Sequence, residues 1–405
     1  MSRIVLVASQ ARDVRARRLG RYLASRGHDV VHVAGWRDLG APTVLRRTEP
    51  LDGLETYVHH EALGTHLQAA VTELGAELVW CHALDALWRY TAACTYTPEV
   101  ERERLSGRSI YDTSWRPRRG PMPLVYDAHE YERDRPWRWS RQRTREDWAA
   151  QEERAAAVAT RVVTVGEDLA YRTRVPSGHV DVITNAPPAL SRPLRTAEAR
   201  AALPPGRLIA FSGYPTPDRD LETLVRALPL VQQVVPDARV VLFGAPKDRA
   251  IVEMVERAGG LVFGEVPYPW PEEEDLHLLD YLSACDVGFS GAWTEFLTWR
   301  LSAPNKLYEY ATAGLRQVSA EITTFDALNA QAMGALGRTY DGSVLSLAEA
   351  LVAELEYPAR VPAEWGERHA YERANGATID RVVEVVPGHQ SACFASERQE
   401  KRGLK

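Results

Sequence analysis

Short apolar runs alternate with amphipathic stretches along most of the chain. Ile4–Ala8 is an apolar run of strand length, and Asp13–Ser25 follows with Leu19, Tyr22 and Leu23 at helical spacing. Gly27 marks the stop of that helix, and Val30–Val33 returns as a strand. Leu78–His82, Leu124–Tyr126, Val162–Val165 and Val180–Ile183 are further strand candidates. A proline-rich break, NAPPALSRPL at 185–194, interrupts the pattern, which then starts again. Leu208–Ser212 predicts a strand, Leu221–Val234 a helix and Arg239–Phe243 a strand; Leu261–Phe263, Val287–Ser290 and Gln317–Ala320 follow as strands. Such alternation implies parallel sheets with helices on both faces. The expected fold is α/β, with two doubly wound, Rossmann-like domains facing a central cleft. The expected boundaries are 1–188, 189–364, a helical segment 365–388 packing back on the N-terminal domain, and a flexible polar tail 389–405.

Composition narrows the function. A chain of 405 residues with 45% hydrophobic content can bury two sizeable cores. A net charge of −6 argues against general nucleic-acid binding. The charge is uneven, however: Arg89–Glu146 carries 13 arginines against nine acidic residues. A solvated surface, an anionic acceptor and peripheral contact with a membrane are three readings of that stretch. No run of about 18 apolar residues is present. The N-terminus enters a strand directly, without a signal-peptide pattern. Cys81, Cys94, Cys285 and Cys393 are scattered, as reduced thiols are, and the expected compartment is the cytoplasm.

No metal is expected. His59, His60, Glu61 and His66 lack zinc spacing and read as surface residues. Asp218-Arg219-Asp220 has the form of a metal-binding DxD, but its place before the apolar helix Leu221–Val234 reads as a cap. The acidic run Glu272–Asp275 reads as support for the start of the helix that follows it.

The stretch SAPNKLYEYATAGL, 302–315, carries the most chemistry. Pro304 suits a first helical position and Gly314 a stop. Asn305 and Glu309 share a face at i, i+4, with Lys306 beside them. A helix N-terminus with a lysine attracts phosphate, and a carboxylate one turn deeper suits a ribose diol. A Lys306–Glu309 surface pair at i, i+3 explains the same residues as well. In the first half, His129 and Glu130 follow a strand end, where ligands of open α/β sheets are bound. Trp137-Arg138-Trp139 could stack on a sugar or fused ring, or simply pack. The long stretch between the strand at 78–82 and that at 124–126 includes Tyr111, Trp115, Arg116, Arg118 and Arg119. Those residues can grip an aromatic, sugar or acidic group, and segment 98–119 is expected to overhang the cleft and select the acceptor.

APNKLYEYATAGL resembles the PNKLFEYMAAGLP segment of family 4 retaining glycosyltransferases, which have the GT-B fold. The likeness extends to SQARDVRARRLGRYLASRGHDVVHVA, LVYDAHEYERD, RVVTVGEDLAYRTR and LIAFSGYPTPDRDLETLVRAL, in the family's order. The resemblance implies transfer from a nucleoside-diphosphate sugar, with UDP as first choice and no resident cofactor. The acceptor would be a small-molecule, natural-product or saccharide acceptor. It implies that Glu309 binds the donor's ribose, with Asn305, Pro304, Gly213 and Val266 beside it, and that Arg219 and Lys306 meet the diphosphate. His129 would line the cleft near the donor sugar and acceptor, with Glu130, Trp115, Arg118, Trp137 and Trp139 on the acceptor side. Three positions depart from the family's pattern: Leu301 stands where many members carry a first glutamate, Tyr214 where many carry arginine, and Arg316-Gln317 where Pro-Val is usual. A pseudo-glycosyltransferase, an epimerase and a silent partner-binding scaffold are the alternatives on the same fold.

Overall fold

In the computed structural model the chain divides into two units, 1–183 with 375–405, and 184–374. The structure describes residues 2–8, 13–35, 46–47, 50, 53–59, 65–91, 122–130, 134, 145–173, 180–246, 248–270, 273–356 and 359–384.

The first unit is built on strands β1 (Arg3–Ala8), β2 (Asp29–Gly35), β3 (Arg46–Arg47), β4 (Glu55–His59), β5 (Leu78–His82), β6 (Leu124–Asp127), β7 (Arg161–Thr164) and β8 (Val180–Val182). They form one sheet in the order β3-β4-β2-β1-β5-β6-β7-β8, parallel except where β3 meets β4. Helix Val14–Ser25 starts because the Asp13 carboxylate accepts the backbone N–H groups of Arg15 and Ala16. It stops before Gly27, whose φ of +85° lets the chain turn back into β2. Val5, Val7, Val31, Val33, Val79 and Tyr126 on the strands pack with Leu67, Leu84 and Leu87 from covering helices. Helix Tyr371–Val383 ends in this unit, where Asp380 accepts hydrogen bonds from Tyr22 (3.0 Å) and Arg26 (3.1 Å). β4 and helix Thr65–Glu73 escape the apolar pattern, because Glu55-Thr-Tyr-Val-His59 has little continuous apolar surface.

The second unit contains β9 (Arg207–Ser212), β10 (Ala238–Phe243), β11 (Leu261–Gly264), β12 (Val287–Ser290), β13 (Gln317–Ala320) and β14 (Gly337–Tyr340). Their order is β11-β10-β9-β12-β13-β14, parallel throughout, so the order reverses between β9 and β12. Crevices at such reversals are where open α/β sheets bind ligands. Only Ile209–Val287 and Ala210–Gly288 pair before these two strands part. The Tyr310 hydroxyl occupies the fork: it accepts the Ser212 N–H at 2.9 Å and lies 3.0 Å from the Phe289 carbonyl. Gly288 makes the room, since a Cβ there would come within 2.6 Å of the Tyr310 ring.

Several sequence expectations shift here. Pro304 is the N-cap of helix Asn305–Thr312, not its first residue; its ψ of 141° is extended. Gly314 does end that helix: at φ +74° it lets the Gly314 and Leu315 N–H groups reach the Ala311 and Tyr310 carbonyls. The expected helix Leu221–Val234 stops at Gln232. Asp220 precedes it in the left-handed region and makes no backbone cap. Its carboxylate instead accepts the hydroxyls of Thr223 (2.6 Å) and Tyr340 (2.5 Å). Helix Leu278–Ser283 owes its start to a capping box of His277 and Asp280, rather than to the acidic run before it. Arg316 and Gln317 also find their reason. Arg316 makes a two-pronged ion pair with buried Glu354 (2.6 and 2.9 Å), and the Gln317 amide donates to the Leu307 carbonyl (3.1 Å).

Candidate functional site

Both sheets gather ionisable side chains at their carboxyl ends. In the first unit the centre is Asp127, the last residue of β6. Arg15, one residue into the capped helix, turns inward and donates from Nε to Asp127 at 2.8 Å and from Nη1 to the Ile183 carbonyl at 2.8 Å. His82, the last residue of β5, sets Nδ1 3.2 Å from the same carboxylate oxygen, and His129 sets Nδ1 3.6 Å from the other. Burial alone would raise the Asp127 carboxyl; Arg15 and the two histidines outweigh it and hold the group well below the usual carboxylate range. Burial pulls the His129 imidazole down, but Asp127 and then Glu130 raise it overall. Asp13 is lowered too: against its burial stand His82, His129 and the Ala16 N–H.

In the second unit the site lies where β9 and β12 part. Helix Asn305–Thr312 points its first turn there, and Leu307, Tyr308 and Tyr310 fix it in the core. Glu309 is buried and accepts the Ser212 hydroxyl at 3.1 Å, directly beside Gly213. Gly213 takes a φ of +115°, which a side chain would oppose. Lys306 is only 7% exposed, and its Nζ lies over the Phe211 ring, 3.7 Å from the centroid. Arg219, at the end of the turn Pro217–Arg219, stacks on Trp299 at 4.2 Å and lies 3.6 Å from Asp218. Burial, and then Arg219, pull the Lys306 amine well below its ordinary value; Glu309 and Asp218 offset only part of this.

No family model matches the sequence, and no curated protein sequence matches it. Solved structures do. The UDP-forming α,α-trehalose-phosphate synthase from Burkholderia xenovorans matches with a TM-score of 0.60 at 12% identity, over 97% of this chain and 100% of that one. Sucrose-phosphate synthase from Thermosynechococcus elongatus matches at 0.57 and 15%, over 100% and 99%. WaaG, a glycosyltransferase involved in lipopolysaccharide biosynthesis, matches at 0.57 and 15%, over 96% and 100%. The chain has the GT-B fold.

On that fold the residues expected from sequence fall into two groups. Arg219, Lys306, Glu309, Asn305, Pro304 and Gly213 lie together at the β9/β12 opening, with Asn305 half-buried as the first residue of its helix. Val266, beyond the end of β11, packs on the hydrophobic core of the second unit. His129 and Glu130 lie in the first unit after β6. Trp115, Arg118, Trp137 and Trp139 lie outside the described residues, as do the rest of segment 98–119 and the tail 389–405. Among the described residues no cluster of three or more His, Cys, Asp or Glu side chains could hold a metal, and no helix is long and apolar enough to cross a membrane. Leu301, where the sequence resemblance leads one to expect a glutamate, is a core side chain at 3% exposure.

Sequence reasoning missed Asp13, Arg15 and His82 in the first unit, and Ser212, Phe211, Trp299 and Tyr310 in the second. His82 was within reach, because it closes a strand and strand ends face the ligand side. Arg15 was not: it sits in RDVRARRLGR, which reads as a solvated basic helix face.

Proposed function

We propose that this chain is a glycosyltransferase that moves a sugar from a nucleoside diphosphate to a hydroxyl acceptor with retention of configuration and without a metal ion. The observation that carries this reading is the pair Lys306 and Arg219, set with Glu309 at the strand-order reversal of a GT-B second domain. The bond between the anomeric carbon and the diphosphate oxygen breaks, leaving positive charge on the ring and negative charge on the diphosphate. Arg219, Lys306 and the positive end of the dipole of helix Asn305–Thr312 take up that negative charge. Those cations do the work a divalent ion would otherwise do. Glu309 accepts the ribose hydroxyls, already oriented by Ser212. Retention follows when the acceptor hydroxyl attacks from the face the diphosphate leaves, giving its proton to the departing oxygen.

The first unit is assigned the acceptor. His129, held toward its protonated form by Asp127, and Glu130 are the polar groups it offers there. Trp115, Arg118, Trp137 and Trp139 complete acceptor recognition in this reading, which makes a saccharide or aromatic natural product the fitting class. Uridine is the first choice of base, supported by the UDP-forming enzyme of the same fold.

The test is direct. Thermal shifts with UDP, GDP, ADP and dTDP should single out one nucleotide, since a ligand that binds only the native state raises apparent stability. Glu309→Ala should weaken that nucleotide by about 1.5–3 kcal/mol through loss of a charged acceptor. Release of nucleoside diphosphate from the matching sugar donor then establishes transfer. A nucleotide that binds without any turnover would favour the scaffold reading, which the buried Leu301 supports.

A further inference from the structure

The Lys306 amine is buried and has no hydrogen-bond partner among the described residues. The charged groups that face it come from two elements. Asp218 and Arg219 belong to the turn after β9, and Glu309 lies one turn along the lysine's own helix. Neither carboxylate turns to the lysine with a hydrogen bond. Asp218 is 3.6 Å from the Arg219 guanidinium, and Glu309 accepts the Ser212 hydroxyl. What lies under the amine is the Phe211 ring.

An ammonium in such a place has lost its water and gained only a ring face. The ring contact is worth about 0.5–2 kcal/mol, and an unpaired buried ammonium costs far more, so the group gives up its proton instead. Burial and the neighbouring Arg219 push the amine in that direction. Arg219 has no such option, because a guanidinium stays charged in proteins. The empty site therefore holds one permanent cation and one amine able to stand neutral. A diphosphate reverses the balance. It brings negative charge and hydrogen-bond acceptors to the amine, and the ammonium becomes the favoured form.

We propose that Lys306 is a proton-coupled cation of the donor site, neutral while the site is empty and taking one proton from solvent as a nucleoside diphosphate binds. The change is –NH2 plus H+ to –NH3+, reversed when the diphosphate departs. The full positive charge of the site is thus present only when there is a ligand to match it. This inference rests on the donor-binding reading above, and its test separates the two.

Calorimetric titration of the full chain with UDP, GDP, ADP and dTDP is carried out near pH 8, where terminal phosphates with a second pKa of about 6 are already ionised. Repeating it in Tris, HEPES and Tricine, which differ in ionisation enthalpy, makes the dependence of heat on buffer count the protons. The expected result for the nucleotide that binds is an uptake near one proton. Uridine, which lacks the diphosphate, should bind with none. By linkage, affinity should fall about tenfold per pH unit as pH rises between the free-state and bound-state values of the lysine, and the slope should flatten once the bound-state lysine titrates. Lys306→Met should bind more weakly, with uptake near zero and a flat pH dependence; Lys306→Gln repeats the measurement should the first variant not fold. Binding by the wild-type chain with no uptake, or equal uptake by either variant, overturns the proposal and leaves the donor site standing. Binding of none of the four diphosphates removes the donor site and this inference with it.

Discussion

At the carboxyl end of the first sheet, Asp127 lies against Arg15, His82 and His129. At the same end of the second sheet, Lys306 has a ring beneath its amine and no hydrogen-bond partner among the described residues. Both ends are products of the same winding rule, which delivers loops and helix starts to one edge. They differ in how charge is completed. In the first unit Arg15 donates to a buried carboxylate, and Asp127 holds the partly exposed His129 toward its protonated form. In the second unit Asp218 faces Arg219 and Glu309 accepts from Ser212, which leaves the Lys306 amine without a hydrogen bond among the described residues. The ion pair of Arg15 and Asp127 contributes to the native state, although His82 and His129 make no geometric hydrogen bond to that carboxylate. A buried amine without a hydrogen bond costs stability, and in the proposed reading a diphosphate would complete it.

The largest expected effect tests the first end. Asp127→Ala strands Arg15 in the core and should cost about 3–5 kcal/mol in urea unfolding. The pH dependence follows in sign. A carboxyl whose folded value is depressed contributes stability above its unfolded value, and that contribution is lost as pH falls toward the folded value. For Asp127 the loss should therefore begin near pH 4 and continue well below it, and the variant should lack that slope. A variant as stable as the wild type would mean that the first end is no more complete than the second.

Tyr310→Phe comes next. It removes the hydroxyl from the fork of β9 and β12 and leaves the buried Ser212 N–H without its acceptor, a loss of about 1–3 kcal/mol. Equilibrium unfolding gives the number, and an unchanged midpoint would show that water fills the fork equally well.

Lys306→Met should move stability the other way, by a gain on the order of 1 kcal/mol, because an unpaired buried amine is replaced by an apolar chain of similar length. A lysine depressed in the folded state binds fewer protons folded than unfolded, so stability should rise with pH toward the ordinary lysine value. The variant should lose that rise and show a smaller nucleotide-induced thermal shift. A destabilised variant would indicate a paired lysine and erase the contrast between the two ends.

Smallest of all is the effect of chelation. Transfer should proceed at the same rate with EDTA present, since in the proposed mechanism Arg219 and Lys306 supply the positive charge. Abolition by EDTA with rescue by magnesium or manganese would revive Asp218 and Asp220 as metal ligands.

Much of the architecture was legible because strands buried on both faces read as continuous apolar runs. Leu78–His82, Val287–Ser290 and Gln317–Ala320 are strands with the bounds their sequence predicts. β14 was not legible: Gly337-Arg-Thr-Tyr340 has a single large apolar residue, and only its pairing with β13 makes it a strand. The second site was partly legible, since Asn305, Lys306 and Glu309 fall within little more than a turn of one short helix. The choice between a surface Lys–Glu pair and a buried site was not, because helical spacing gives neighbours on a helix without saying what covers them.

The sequence by itself determined the alternation of strand and helix, the restart after the proline-rich break and the helix that carries Lys306 and Glu309. Those are local properties, set by hydrophobic period and by Gly and Pro at turns. Only the tertiary structure decided that Arg15 is a core residue paired with a carboxylate 112 positions away, that Tyr310 closes a fork between strands, and that Lys306 faces a ring instead of water. Charge state and hydrogen bonding depend on burial and on partners from distant strands, and neither is encoded in the spacing of neighbours along the chain.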